Sequence, residues 1–553
     1  AAFGLGFIFG PAIGGALSKI SYSTPAYFAT AVSLITVLTT IFFLKETVNE
    51  DKASHSPRTK FSLTEFKRVL SLYPIGLLIS VFFRTYQIIE RYGYGHDAEL
   101  FSWIVKDIVI NQHPRLIGQL TSAPGIFIGP FFYYLLVPFF ILSQMDPWAA
   151  LVPITIIGIL TTLSYFIVFS KLFRETTGFI AAFLQAILLP WISFDRRVVP
   201  STPTNLWTIW YFYTIVQIAR GKFFVLPILG ILIGLIWHIH IALIPTLLAI
   251  PFAFLISRKI PKIKELSLFV IAFFVTNIPL MLFEIRHGFS QTRALIENFT
   301  TDHGGGSGET KLIYVFEMVI KNVNNLFFSP YTLPDFLKPL FLLIILASSI
   351  FLIKKKIITK KEIVPLSVLL FGVIGFFTLS SSLISEYYLY SIEVVFVGLI
   401  ALTFSHLVKS STGKILVFFI LGILFAKNLY SFVTVDIYKK DYQERKGVVE
   451  FIVADAAKSG FPCIGISYIT DPGENTGFRY FFYLKNQHLA HPSLKVPVYN
   501  IVLPDELALN EVEKKFGHIG IIPPTYMPPK DMIDQSCKTP DTNLTDSLFG
   551  YVE

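Results

Sequence analysis

Apolar runs recur along most of this chain, near residues 69–88, 126–142, 149–170, 178–194, 205–219, 223–238, 240–256, 266–283, 338–353, 364–384, 391–408 and 415–435. A helix of about 17–25 apolar residues crosses the hydrocarbon core of a bilayer, and inside lipid every backbone amide must be satisfied within its own element. Repetition on this scale predicts an all-α polytopic membrane protein of about 11–13 spans. Period-two alternation of the porin type is not seen. The composition agrees: 15% of residues are charged, against about 25% in a soluble domain.

Net charge is +9, but the lysines and arginines fall in short clusters at 257–265, 354–362 and 409–414, between apolar runs. That pattern marks cytoplasmic loops rather than a nucleic-acid surface. It places 284–337, 381–391 and everything beyond about 436 on the outer face. Lys60, Lys67 and Arg68 put the start of the first of these spans inside and the loop around Asp97 outside. Eight runs then lie between residue 68 and the outer loop at 284, and an even number of crossings cannot join opposite sides. One run, expected within 126–170, must be a half-span or lie in the interface.

From residue 436 to 553 the composition changes. The amphipathic "ERKGVVEFIVADAAKSG" is followed by the strand-like "CIGISYIT", "VPVYNIVL" and "HIGIIPP", which predicts a small soluble α/β domain. Cys463 and Cys537 both fall there, and can pair if the domain lies outside the cell. No nucleotide-binding glycine loop and no metal-ligand spacing occurs in it.

The first 50 residues read as a helical hairpin, and Ala1 is already inside an apolar segment, as expected of a truncated N-terminus. "GFIFGPAIGG" (6–15) spaces small residues for close helix approach. It resembles the fifth-helix signature of drug antiporters of the major facilitator superfamily, and "FFLKETVNEDK" (42–52) resembles the exit of their sixth helix. The expectation is a transporter-like remnant at 1–50, joined by a polar linker at 51–64 to a different protein at 65–435.

In "RYGYGHDAELFSWIVKDIV" (91–109), Asp97 and Glu99 open a stretch with Leu100, Ile104 and Ile108 at helical spacing, an amphipathic helix suited to the interface. By themselves these acids are N-cap and first-turn charges. The residues that follow change the reading. "NQHPRLIGQLTSAPGIFIGPFFYYLLVPF" (111–139) brings a proline-punctuated turn into an aromatic helix. With "SFDRRVVPSTPTNLW" (193–207), "GLIWHIHIALIP" (234–245), "FEIRHGFSQTRAL" (283–295) and "SEYYLYSIEVV" (385–395), it resembles membrane glycosyltransferases of the C-type fold, in particular bacterial and archaeal relatives of the dolichyl-phosphate-mannose protein mannosyltransferases.

The resemblance implies transfer of a sugar from a polyprenyl-phosphate donor to a lipid, glycan or protein hydroxyl, at the outer face of a prokaryotic plasma membrane. It implies Asp97 as catalytic acid-base; Glu99 falls one place later than the second acid of many relatives, with Ala98 between. Deprotonating a hydroxyl needs a base, and a departing phosphate needs cations or donors. Arg196, Arg197, His240, Arg286, His287 and Tyr388 are the donor phosphate-binding candidates. Arg196 and Arg197 read equally as interfacial anchors, and Tyr387 and Tyr388 as members of an aromatic belt. His238 and His240 are two apart, so at most one faces a site. No cofactor is required; His96, Asp97 and Glu99 could hold a divalent ion, but their spacing is not diagnostic. The rivals are a transporter of the major facilitator type and an inactive fusion product.

Overall fold

The computed structural model describes residues 73–121, 123–300, 308–381, 384–434, 441–508 and 511–545. The hairpin expected at 1–50 and the linker at 51–64 lie outside these residues. The membrane part begins with α1 (Pro74–Thr85), α2 (His96–Ile110) and α3 (Phe131–Leu142), then α4 (Leu151–Leu172), α5 (Glu175–Ile187), α6 (Leu189–Phe194) and α7 (Thr204–Ala219). It continues with α8 (Leu226–Ile239), a 3-10 segment (Ile241–Leu248), α9 (Ala249–Ser257), α10 (Ile263–Arg286), α11 (Ser290–Thr300) and α12 (Gly308–Phe328). Four more helices close it: α13 (Leu337–Lys354), α14 (Lys360–Leu379), α15 (Tyr390–Leu407) and α16 (Ser411–Thr434).

Among the described residues six helical segments are long and apolar enough to cross a bilayer, and four shorter apolar helices accompany them. On α10, Ile271, Phe274, Val275 and Ile278 are exposed, and on α16 Ile415, Phe418, Phe419 and Ile423 are. Contiguous apolar surface of this kind is stable against lipid, not water.

The helix ends follow local chemistry. Thr359 caps α14, with Glu362 accepting from the Thr359 backbone N–H at 2.8 Å, a reciprocal box that satisfies free N-terminal amides. Asp146 accepts from Trp148 N–H at 3.4 Å where the chain turns towards α4. Inside the bundle, Arg84 at the end of α1 is fully buried. Its guanidinium donates to Asp195 Oδ2 at 2.7 and 3.1 Å, to Gln185 Oε1 at 3.1 Å and to the carbonyls of Gln185 and Ala186. Gly158 leaves room for it: a Cβ there would come within 3.0 Å of the Arg84 side chain.

The run at 126–142 forms one of the shorter apolar helices. Its helix, α3, has only 12 residues, about 18 Å at 1.5 Å per residue, well short of the roughly 30 Å core. Phe132, Tyr133, Leu136 and Phe140 pack with Phe101 and Ile104 of α2 in one core.

The C-terminal domain opens with α17 (Asp441–Lys458) and carries a five-stranded sheet: β1 (Ile464–Thr470), β2 (Leu489–Ala490), β3 (Val498–Leu503), β4 (Lys514–Phe516) and β5 (Ile519–Ile522). Strand order is β2-β1-β3-β5-β4, parallel for β1 with β2 and β3 and antiparallel among β3, β5 and β4. Val448, Val449 and Ile452 of α17 cover Ile464, Tyr499 and Ile521. A short helix, α18 (Arg479–Leu484), follows β1, and α19 (Lys530–Ser536) follows the sheet. Cys463 and Cys537 form a disulfide across 74 residues of sequence.

Candidate active site

Asp97 and Glu99 share the first turn of α2 but face opposite surroundings. Asp97 is 57% exposed, with His96 Nδ1 at 3.4 Å. Glu99 is fully buried. Its Oε1 accepts from the Tyr480 backbone N–H at 2.8 Å and its Oε2 from that of Gly477 at 2.6 Å. Burial raises the Glu99 carboxyl above its ordinary range, opposed by these two amides and by the charges of Arg479 and Arg445. Where a catalytic acid is expected, Glu99 thus fastens α2 to the C-terminal domain through both of its oxygens.

The surroundings of that joint are built for close contact. Gly477 has φ +87°, and a Cβ there would come within 2.6 Å of Arg445 and 3.0 Å of the Tyr94 carbonyl. Tyr92 stacks on Tyr442 with centroids 5.6 Å apart, Tyr94 meets Phe481 at 4.9 Å and Trp103 meets Tyr480 edge-on at 5.2 Å. Lys446 pairs with Asp146 at 2.7 Å.

On the exposed side, the charge of Asp97 acts on the Tyr387 hydroxyl. Tyr387 and Tyr388 sit on a 3-10 turn (Glu386–Leu389) before α15, and both rings pack on His240, with centroids 5.3 and 5.0 Å away. His240 ends α8 in an extended conformation, and its Nδ1 accepts from the Ala242 N–H at 3.1 Å. A neutral ring held this way carries its proton on Nε2, as a donor. Tyr387, Tyr388 and His240 thus form one group, and the charge of Asp97 reaches it only weakly, at Tyr387. His238 faces elsewhere: Nε2 donates to the Thr276 carbonyl at 2.9 Å, and Nδ1 accepts from Phe131 N–H at 3.3 Å. Gly129 lies so close to that ring that a Cβ would be 2.1 Å from Nδ1.

The arginines separate. Arg196 donates to the carbonyls of Phe83, Tyr86 and Gln87 at 2.9–3.3 Å and stacks over Phe432, so it caps the end of α1. Backbone carbonyls thus engage its guanidinium where a phosphate contact is expected. Arg197 lines a cleft with Asn322, Asn325, Glu386, Tyr390 and Glu393. Arg286 and His287 are exposed at the end of α10; His287 Nδ1 is 2.8 Å from the Phe283 carbonyl.

The segment between α2 and α3 meets α11. Gln291 Oε1 accepts from Phe127 N–H at 2.6 Å, and Asn298 Nδ2 donates to the Pro124 carbonyl at 3.1 Å. The trio considered for a divalent ion is not assembled, because Glu99 points into the joint. Among the described residues, no three of His, Cys, Asp or Glu are grouped to hold a metal. Sequence reasoning passed over Glu393, buried among the cleft residues; an ionisable side chain one turn inside the apolar run 391–408 was the available signal.

No family model matches the chain. Multidrug resistance protein 2 of Bacillus subtilis (strain 168) is 34% identical over 131 residues, which make up 23% of this chain and 30% of that protein. The match thus spans under a third of that relative. In backbone structure the chain is similar to ArnT from Cupriavidus metallidurans in the apo state, with TM-score 0.50 and 11% identity, covering 83% of this chain and 98% of that one. ArnT bound to undecaprenyl phosphate gives 0.49 at 11% identity, covering 85% and 100%. The oligosaccharyltransferase AglB from Archaeoglobus fulgidus, in complex with an inhibitory peptide and a dolichol-phosphate, gives 0.42 at 15%, covering 85% and 76%. At such identities a likeness defines the fold alone: a helical polytopic membrane body of the C-type glycosyltransferase kind, carrying a small C-terminal α/β domain.

Proposed function

We propose that the chain transfers a sugar from a polyprenyl-phosphate-linked donor to an acceptor hydroxyl at the outer face of a prokaryotic membrane, with Asp97 as general base. The observation that carries this reading is the exposed Asp97 carboxylate at the start of α2, within electrostatic reach of Tyr387 in the His240, Tyr387 and Tyr388 group. ArnT, whose apo structure shares this fold, also has a structure with undecaprenyl phosphate, and the lysine-rich loops support the outer placement. The kinship to protein mannosyltransferases is part of the proposal.

Asp97 takes the acceptor proton as the hydroxyl oxygen attacks the anomeric carbon, and the bond from that carbon to the phosphate oxygen breaks with inversion. The electron pair leaves on the lipid phosphate. In this reading His240 Nε2–H and the Tyr388 hydroxyl are donors for the phosphate, and Arg286 and His287 are its further candidate contacts. A divalent ion, if used, would find only His96 and Asp97 here. The test is transfer by Asp97→Asn from membrane-extracted lipid-linked sugars: loss of activity with the fold intact supports the assignment, and full activity overturns it.

The second reading, a transporter, is favoured by the 34% identity to Multidrug resistance protein 2. Substrate flux in proteoliposomes without sugar transfer would establish it instead.

A further inference from the structure

The turn that carries Tyr387 and Tyr388 also contributes to a cleft of about 380 Å³ between α6, α12 and α15. Arg197, Asn322, Asn325, Glu386, Tyr390 and Glu393 are its chemical lining. Glu393 is only 3% exposed, and its one hydrogen bond among the described residues is from the Trp191 indole N–H to Oε2. Oε1 is therefore left for whatever enters. A buried carboxylate supported by a single neutral donor is costly, and such a cost is expected where a ligand supplies the missing donor.

The mix of groups says which ligand. Glu386 is paired with Lys321 at 2.5 Å, and Arg197, Asn322, Asn325 and Glu393 set donors and acceptors side by side around the cleft. A neutral ring bearing several hydroxyls fits, because every group present can use it. Glu393 Oε1 accepts from a hydroxyl, Arg197 donates, and Asn325 does either. Asn322 gives an N–H to the Glu386 carbonyl at 2.8 Å, so its oxygen is the acceptor turned to account. Tyr390, set edge-on to Phe194 at 4.8 Å, supplies an aromatic wall. The volume is at the small end of ligand pockets, roughly 300–1,000 Å³.

We infer that this cleft is a saccharide subsite, holding one or two neutral sugar rings of the donor or of a glycan acceptor through Glu393, Arg197 and Asn325. The inference deepens the proposed transfer reaction and names the part of the substrate that this cleft reads.

Binding is measured apart from transfer. Trp191 touches Glu393, so its fluorescence reports occupancy. The full chain in nanodiscs is titrated with methyl glycosides of glucose, mannose, galactose and N-acetylglucosamine, with a polyprenyl-phosphate sugar, with the polyprenyl phosphate alone and with inorganic phosphate. The expected result is a saturable change with at least one sugar-bearing probe, abolished in Trp191→Phe and weakened at least tenfold in Glu393→Gln and Asn325→Ala. A response to the lipid-linked sugar alone assigns the donor, and a response to a free glycoside with donor bound assigns the acceptor. A change produced by either sugar-free phosphate overturns the inference, as does silence from every sugar-bearing probe. Asp97→Asn should leave the titration unchanged, so failure of the base assignment and failure of this subsite are told apart.

Discussion

Glu99 and Glu393 are both buried carboxylates in a helix's first turn, and they differ in what satisfies them. At the joint between α2 and the C-terminal domain, each Glu99 oxygen receives a backbone amide. In the cleft, Glu393 receives one indole N–H and keeps an oxygen over. Burial alone marks neither as functional; the hydrogen-bond count separates a fastening from a receptor. Two residues before Glu99, Asp97 makes the complementary point, because it is solvated and its chemistry is uncommitted.

Several substitutions would break or sharpen this contrast. Asp97→Asn should lower transfer by about 10²–10⁴-fold, the usual worth of a positioned general base, with an unchanged melting temperature. Arg84→Met should cost about 3–5 kcal/mol of stability, because it strands the Asp195 charge, and replacing Asp195 as well should return most of it; thermal unfolding in one detergent compares the set. Glu99→Gln should cost about 1–3 kcal/mol, since one of the two amides then faces an N–H₂ group. It should increase protease sensitivity of the C-terminal domain while leaving kcat in the intact fraction within a few-fold of the parent. Equal loss of kcat in Asp97→Asn and Glu99→Gln would erase the distinction between them.

The smallest effect is in the pH dependence. Burial raises the folded pKa of Glu99 above the ordinary 4.5 of a glutamate. The folded joint therefore binds the proton more tightly than the unfolded chain. That increment of stability is complete below pH 4.5 and is lost as pH rises through the folded value. Melting curves from pH 4 to 8 should show this downward component in the parent and lack it in Glu99→Gln.

The polytopic helical class and the C-terminal sheet were legible because they rest on run length and period-two patterning. The surplus apolar run shows in the sequence only as a parity conflict, because run length does not tell a short helix from a span. Asp97 was separable from Glu99 only by what lies across the fold. Glu99 meets Gly477 and Tyr480, almost 400 positions away in the sequence, and no local spacing carries that information. The adjacent Asp195, Arg196 and Arg197 divide likewise among a buried ion pair, a helix cap and a cleft wall. A short loop between two runs cannot show which way each side chain turns.

Helix α3 buries Phe132, Tyr133, Leu136 and Phe140 but exposes Phe131, Tyr134 and Leu142 on its other side. A short apolar helix packed on one side and bare on the other is stable where lipid rather than water covers the bare side. Because α3 is packed against α2, under the proposed reaction it would tie the base to the acyl chains. A lipid-borne donor could then reach the base by sliding sideways in the leaflet, and the search for substrate would be two-dimensional.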